Sequence, residues 1–126
     1  MSYDLYFWRQ EKDLTMAPSK ILAGIHGGDV PVGVERIPSA DVIARLRKEF
    51  PEIWENHTSN PKHPLQLFWD APSGRETFQL SWSDFHIGIE GHGLSSEVCN
   101  RLIAVLAEFG CALYDPQTGV RYHDTN

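Results

Sequence analysis

Between positions 65 and 90 this 126-residue sequence carries three segments of period-two hydrophobicity, and they limit its fold more than any other feature. Leu65, Leu67 and Trp69 alternate with Gln66, Phe68 and Asp70. The turn Ala71-Pro72-Ser73-Gly74 then leads into Thr77-Phe78-Gln79-Leu80-Ser81-Trp82, whose Phe78, Leu80 and Trp82 share one side. Successive strand side chains point to opposite faces, so the spacing predicts a hairpin with one apolar face. After Ser83-Asp84, the run Phe85-His86-Ile87-Gly88-Ile89-Glu90 alternates again, with Phe85, Ile87 and Ile89 expected inward and the glycines at 88, 91 and 93 at its weak end.

An apolar sheet face must be covered, and two amphipathic stripes flank the run. In the first, Ser39 is the expected N-cap, Asp41 suits the positive end of the helix dipole, and Val42, Ile43, Leu46 and Phe50 form one stripe before Pro51. In the second, Ser95 is the expected N-cap, Val98, Leu102, Val105, Leu106 and Phe109 form the stripe, and Gly110 ends it. Tyr3 to Trp8 reads as a strand that is apolar on both alternating faces, which is either covered on both sides or leaves an aromatic face for a partner. Pro18 to Ile25 reads as a short helix stopped by Gly27-Gly28.

Residues 29–34 contain Pro31, which has no ladder donor, and read as a loop with extended pieces. Residues 52–64 are polar and read as a long surface loop. Cys111 to Tyr114 and Val120 to Tyr122 read as short strands around a turn at Asp115-Pro116-Gln117-Thr118-Gly119. The order implies a single α+β domain over 1–126: a mixed, mainly antiparallel sheet with two main helices packed on one face. A ferredoxin-like or split-βαβ arrangement is the leading expectation, with 85–90, 96–109 and 111–114 as one right-handed βαβ crossover.

Forty-one per cent hydrophobic and 22% charged residues make an ordinary globular composition, which excludes wholesale disorder. No apolar run approaches the length of a membrane span, and the Met1-Ser2-Tyr3-Asp4 start has no signal-peptide pattern, so neither a span nor a signal peptide is expected. The formal charge of −6 is uneven: residues 1–63 hold 8 basic against 9 acidic residues, and residues 64–126 hold 3 against 8. An acidic second half repels phosphate backbones and attracts basic proteins. Cys99 and Cys111 fall at opposite ends of one helical segment, roughly 15 Å apart and beyond disulfide reach, and read as thiols in a reducing cytosol.

Residues of the types that carry chemistry do not converge. His86, Glu90 and His92 are all zinc-ligand types, yet His86 to Glu90 spans about 13 Å along a strand, so no metal site is expected. His57 and His63 lie in the polar loop. No Gly-x-Ser-x-Gly elbow, P-loop or dinucleotide fingerprint occurs, so neither a catalytic residue nor a cofactor is expected. Tyr6, Phe7, Trp8, Trp69 and Trp82 invite comparison with base-stacking sheets, but the charge balance and the missing basic-Gly-aromatic signature point away from nucleic acid.

Several segments carry a resemblance: Ser2-Tyr3-Asp4-Leu5-Tyr6-Phe7-Trp8, Ile37-Pro38-Ser39, Phe50-Pro51-Glu52-Ile53, Leu80-Ser81-Trp82-Ser83, and Phe109 to Gly119 with its Tyr114-Asp115-Pro116-Gln117-Thr118-Gly119 turn. In this order the chain resembles small bacterial immunity proteins of polymorphic-toxin and contact-dependent growth inhibition systems. The resemblance implies a cytoplasmic protein, not an enzyme, that binds and neutralises a cognate toxin domain, a nuclease among the candidates. The acidic second half makes Asp70, Glu76, Asp84 and Glu90 the expected partner-binding residues. The alternatives are an orphan protein- or ligand-binding regulatory module, a small enzyme, or a single-stranded nucleic-acid binder.

Overall fold

The segment that is apolar on both faces lies at the heart of the sheet. In the computed structural model, which describes residues 2–122, β1 (Ser2–Gln10) lies between β6 (Ile87–His92) and β7 (Ala112–Asp115), antiparallel to both. Its last residues, Arg9 and Gln10, also pair with β2 (Val34–Glu35). On the β6 side follow β5 (Thr77–Trp82), β4 (Leu65–Asp70) and β3 (Trp54–His57); on the β7 side lies β8 (Val120–Tyr122). The sheet is open and eight-stranded among the described residues, and each pairing is antiparallel. Three helices complete this α+β fold: α1 (Pro18–Gly27), α2 (Ser39–Glu49) and α3 (Ser96–Ala107).

Alternation along the strands divides the apolar residues between two cores. Leu5 and Phe7, Leu67 and Trp69, Phe78 and Leu80, and Ile87 and Ile89 face α2 and α3, where Val42, Leu46, Leu102, Val105 and Leu106 are buried against them and Ile43 is partly buried. Both amphipathic stripes thus pack on one face, as expected. Phe50 sits at the centre of this core, edge-on to Trp69 and Phe78 at 5.3 Å each. On the opposite face Trp8 and Tyr114 meet Ile21 and Ile25 of α1. Covered on both sides, β1 buries Phe7 and Trp8 completely.

β6 and β7, joined by α3, run in the same direction with β1 between them. The structure corrects several expectations. Residues 54–57 are not loop but the edge strand β3, paired along β4. Each of its side chains is exposed, so it leaves no apolar alternation in the sequence and is held by backbone pairing. Phe85 packs with the α1-side core rather than with Ile87 and Ile89. The turn from Ser83 to His86, closed by Ser83 N–H to His86 O (3.0 Å), interrupts the alternation, and strand pairing begins at Ile87.

Pro38, not Ser39, is the N-cap of α2, and no side chain caps that end. Ser95 does cap α3, its Oγ accepting from Val98 N–H at 3.2 Å. β6 also runs through Gly88 and Gly91 to His92 instead of failing there. At Gly88 a Cβ would run into Ser81 Oγ and lie 3.3 Å from the Tyr6 ring, so a side chain there requires the serine to shift.

Candidate functional site

Among the described residues, α1 packs against β1 and β7 on its sheet face, and no residue of β3 to β6 belongs to that core. On the same face the register aligns one residue from each of five strands: Trp54 opposite Phe68, Phe68 opposite Gln79, Gln79 opposite Glu90, and Glu90 opposite Asp4. Directly opposed side chains in antiparallel strands share a face about 5 Å apart, so this row spans roughly 20 Å. Asp70, Thr77 and His92 form the parallel row beside it.

One end of the row is aromatic. The Trp54 and Phe68 rings stack at 4.8 Å and 22°, and Trp54 keeps 46% of its surface exposed. Its indole N–H donates to Asp70 Oδ2 at 2.8 Å, which fixes the ring on the face. Asn56 Nδ2 donates to Gln66 Oε1 at 2.9 Å on the same strands. The other end is acidic. Asp4 and Glu90 stand opposite each other beside a cavity of about 250 Å³ that Tyr6 and Ser81 also line. Burial, and then the Asp4 and Glu90 charges, raise the Tyr6 hydroxyl above its ordinary pKa. His92 Nε2 lies 3.9 Å from Glu90 Oε1.

The four carboxylates expected to bind a partner are thus divided. Asp70 and Glu90 lie on this open face. Glu76 is half-buried and accepts Ser95 N–H at 2.7 Å, which holds its carboxyl below the usual range and ties the hairpin to the start of α3. Asp84 lies at the opposite end of β5, ion-paired with Arg36 at 2.6 Å. Sequence reasoning missed Trp54, because an isolated tryptophan in a polar stretch carries no period, and Phe68, because alternation marks it only as facing away from the core.

A second feature lies beside this face. His86, 7% exposed, forms a ring cluster with Tyr6 and with His26 of α1, whose centroid is 5.2 Å away. Burial, with a smaller contribution from His26, lowers the imidazole to about 4. Ser83 Oγ lies 2.7 Å from His86 Nδ1 and accepts Phe85 N–H at 3.1 Å. A serine–histidine pair of this kind invites a nucleophile reading, but both residues belong to one four-residue turn that their own hydrogen bonds close, and the pair is a turn brace. Glu90 and His92 lie further along β6, and among the described residues no three His, Cys, Asp or Glu side chains are placed to share a metal ion. His57 sits 3.1 Å from Glu55.

On the helix side, an apolar groove of about 760 Å³ runs along α3 and β7, lined by Cys99, Ile103, Ala107 and Leu113. Burial pushes the nearby Cys111 thiol up to about 11, which makes it a poor nucleophile. No helix among the described residues is long and apolar enough to cross a membrane. No protein-family model matches the chain, and no curated protein matches its sequence.

Proposed function

We propose that this protein is a toxin-neutralising binder of the immunity-protein kind, acting in the cytoplasm, that docks the open face of β3 to β6 onto a basic toxin domain. The observation that carries the reading is the five-strand row that joins an exposed, stacked Trp54–Phe68 pair to the Asp4–Glu90 pair. Tryptophan anchors in well-packed contacts supply most of an interface's affinity, and carboxylates around them steer a positively charged partner. A nuclease domain, which needs a basic groove for its substrate, has the complementary charge. The same carboxylates disfavour a nucleic acid as the direct occupant. Of the carboxylates expected to contribute, Asp70 and Glu90 lie on the docking face and touch the partner, whereas Glu76 and Asp84, placed off it, act through the long-range field.

The order β7-β1-β6-β5, with α2 and α3 on one side, supports the ferredoxin-like, split-βαβ reading of the fold, widened by β4 and β3. That widening supplies the aromatic end of the proposed interface.

Co-expression with candidate toxin domains drawn from neighbouring genes tests the function. Trp54→Ala is expected to weaken the complex by roughly 30-fold or more, mainly through faster dissociation. The pair Asp70→Lys and Glu90→Lys is expected to slow association and flatten its salt dependence. If the wild-type chain neither protects cells nor forms a complex at low salt, the reading is wrong; if both variants bind like wild type, the face is wrong.

A further inference from the structure

Between the C-terminal end of α1, the 58–64 segment and the ends of β4, β5 and β6 lies a cavity of about 730 Å³, within the size range of small-molecule sites. Its charge is unlike that of the rest of the chain. The sequence holds 17 carboxylate residues against 11 Lys and Arg. Yet among the described residues no Asp or Glu lines this cavity, and its ionisable residues are Lys62, His26, His63 and His86.

The wall is built before any ligand arrives. Thr58 N–H donates to Pro64 O (2.8 Å), Thr58 Oγ1 to His63 O (2.7 Å), His63 N–H to Asn60 O (3.2 Å) and Lys62 N–H to Asn60 Oδ1 (3.0 Å). These bonds close 58–64 into a compact loop that holds Lys62 and His63 at the rim. Gln66, whose amide oxygen is taken by Asn56, keeps its NH2 group to donate.

His86 supplies the floor. It is nine-tenths buried and lines the cavity. Ser83 Oγ accepts an N–H from Phe85 and lies 2.7 Å from His86 Nδ1, with the direction of that bond set by the imidazole tautomer. In the tautomer where the Ser83 hydroxyl donates to Nδ1, the imidazole proton is on Nε2, and this residue offers the cavity a donor.

We propose that this cavity binds a small oxyanion-bearing molecule, a phosphate ester or carboxylic acid, with Lys62 and His63 closing on the anion and His86 Nε2–H donating from the floor. The cavity adjoins the docking face and shares Gln79 with it, but none of Trp54, Phe68, Asp4 and Glu90, which carry the docking proposal, lines the cavity.

Amide 1H–15N spectra of the labelled full chain, titrated at constant ionic strength with inorganic phosphate, adenosine monophosphate and citrate in turn, test it. At least one probe should give saturable shifts confined to residues 26, 60–66 and 79–86. Lys62→Ala with His63→Ala, both exposed positions that leave the fold intact, should weaken that binding about tenfold or more, the loss expected for charge-assisted hydrogen bonds. Imidazole 15N spectra should show the proton of His86 on Nε2. Shifts that never saturate, shifts unchanged in the double variant, or equal shifts with chloride alone would overturn the site, and a proton on Nδ1 would overturn the floor assignment.

Discussion

Replacing Phe50 by alanine tests whether the helix-side core is organised around one ring. Phe50 is fully buried, packs edge-on against Trp69 and Phe78, and lies under the Arg101 guanidinium at 4.2 Å from the ring centre. Arg101 also reaches Glu49 through its carboxylate (3.0 Å) and its carbonyl (2.8 Å), so the ring sits where α2, α3, β4 and β5 meet. Removing a buried phenylalanine side chain costs about 3–5 kcal/mol. Two aromatic edge contacts and a half-exposed cation–π contact put the expected loss in the upper half of that range. Against a total stability of about 5–15 kcal/mol, that is a large fraction.

Urea unfolding at pH 7.5 is the assay. The midpoint should fall by roughly 2 M with the slope unchanged, taking about 2 kcal/mol per molar for a small protein. Phe50→Leu should cost about 1–2 kcal/mol, since it keeps most of the apolar volume and loses the ring contacts. A double-mutant cycle of Phe50→Leu with Arg101→Ala should show a coupling of about 0.5–1 kcal/mol. A loss below about 1.5 kcal/mol for the alanine variant would refute the central role of this ring.

Two further outcomes follow from the open face and its border. Burial holds the His86 imidazole down to about 4, whereas an unfolded histidine binds a proton near 6.5; its contribution is whole above pH 6.5 and falls away towards pH 4, about 3 kcal/mol in all. Urea melts at pH 7.5 and 4.5 should therefore show a smaller acid loss in His86→Gln than in wild type, and equal losses would reject the assignment. Gly88→Ala should cost about 1–3 kcal/mol because its Cβ collides with Ser81 Oγ. Most of that stability should return in the double variant with Ser81→Ala, as read by thermal melts.

What the sequence revealed of this architecture depended on whether a residue's task leaves a period. Phe78 and Leu80, Ile87 and Ile89, and the stripe from Val98 to Leu106 each repeat at the spacing of their element, and each is buried as that spacing implies. The edge strand β3 leaves no period because all four of its side chains are exposed, so no apolar alternation announces its pairing with β4. Phe85 was misplaced because a turn braced by Ser83 and His86 breaks the alternation locally.

The candidate site was less legible for a related reason. Its row joins residues 4, 54, 68, 79 and 90, which only the register brings side by side. Charge counting singled out Asp70, Glu76, Asp84 and Glu90 alike and had no means of telling that only Asp70 and Glu90 share the open face, while Glu76 binds Ser95 N–H and Asp84 pairs with Arg36.

The central position of β1 sets a timetable for the nascent chain. Phe7 pairs with Ile87 and Tyr6 with Tyr114, so β1 waits for partners synthesised roughly 80 to 110 residues after it. At about 5–20 residues per second, that delay is on the order of 4–20 s. Throughout it, Leu5, Tyr6, Phe7 and Trp8 form an unpaired aromatic segment on an incomplete chain. Such a segment is a binding sequence for holdase chaperones and a seed for aggregation when expression is fast. Once released, the chain must still close its longest loops before the sheet gains its middle strand, which places its folding among the slow, non-local β topologies.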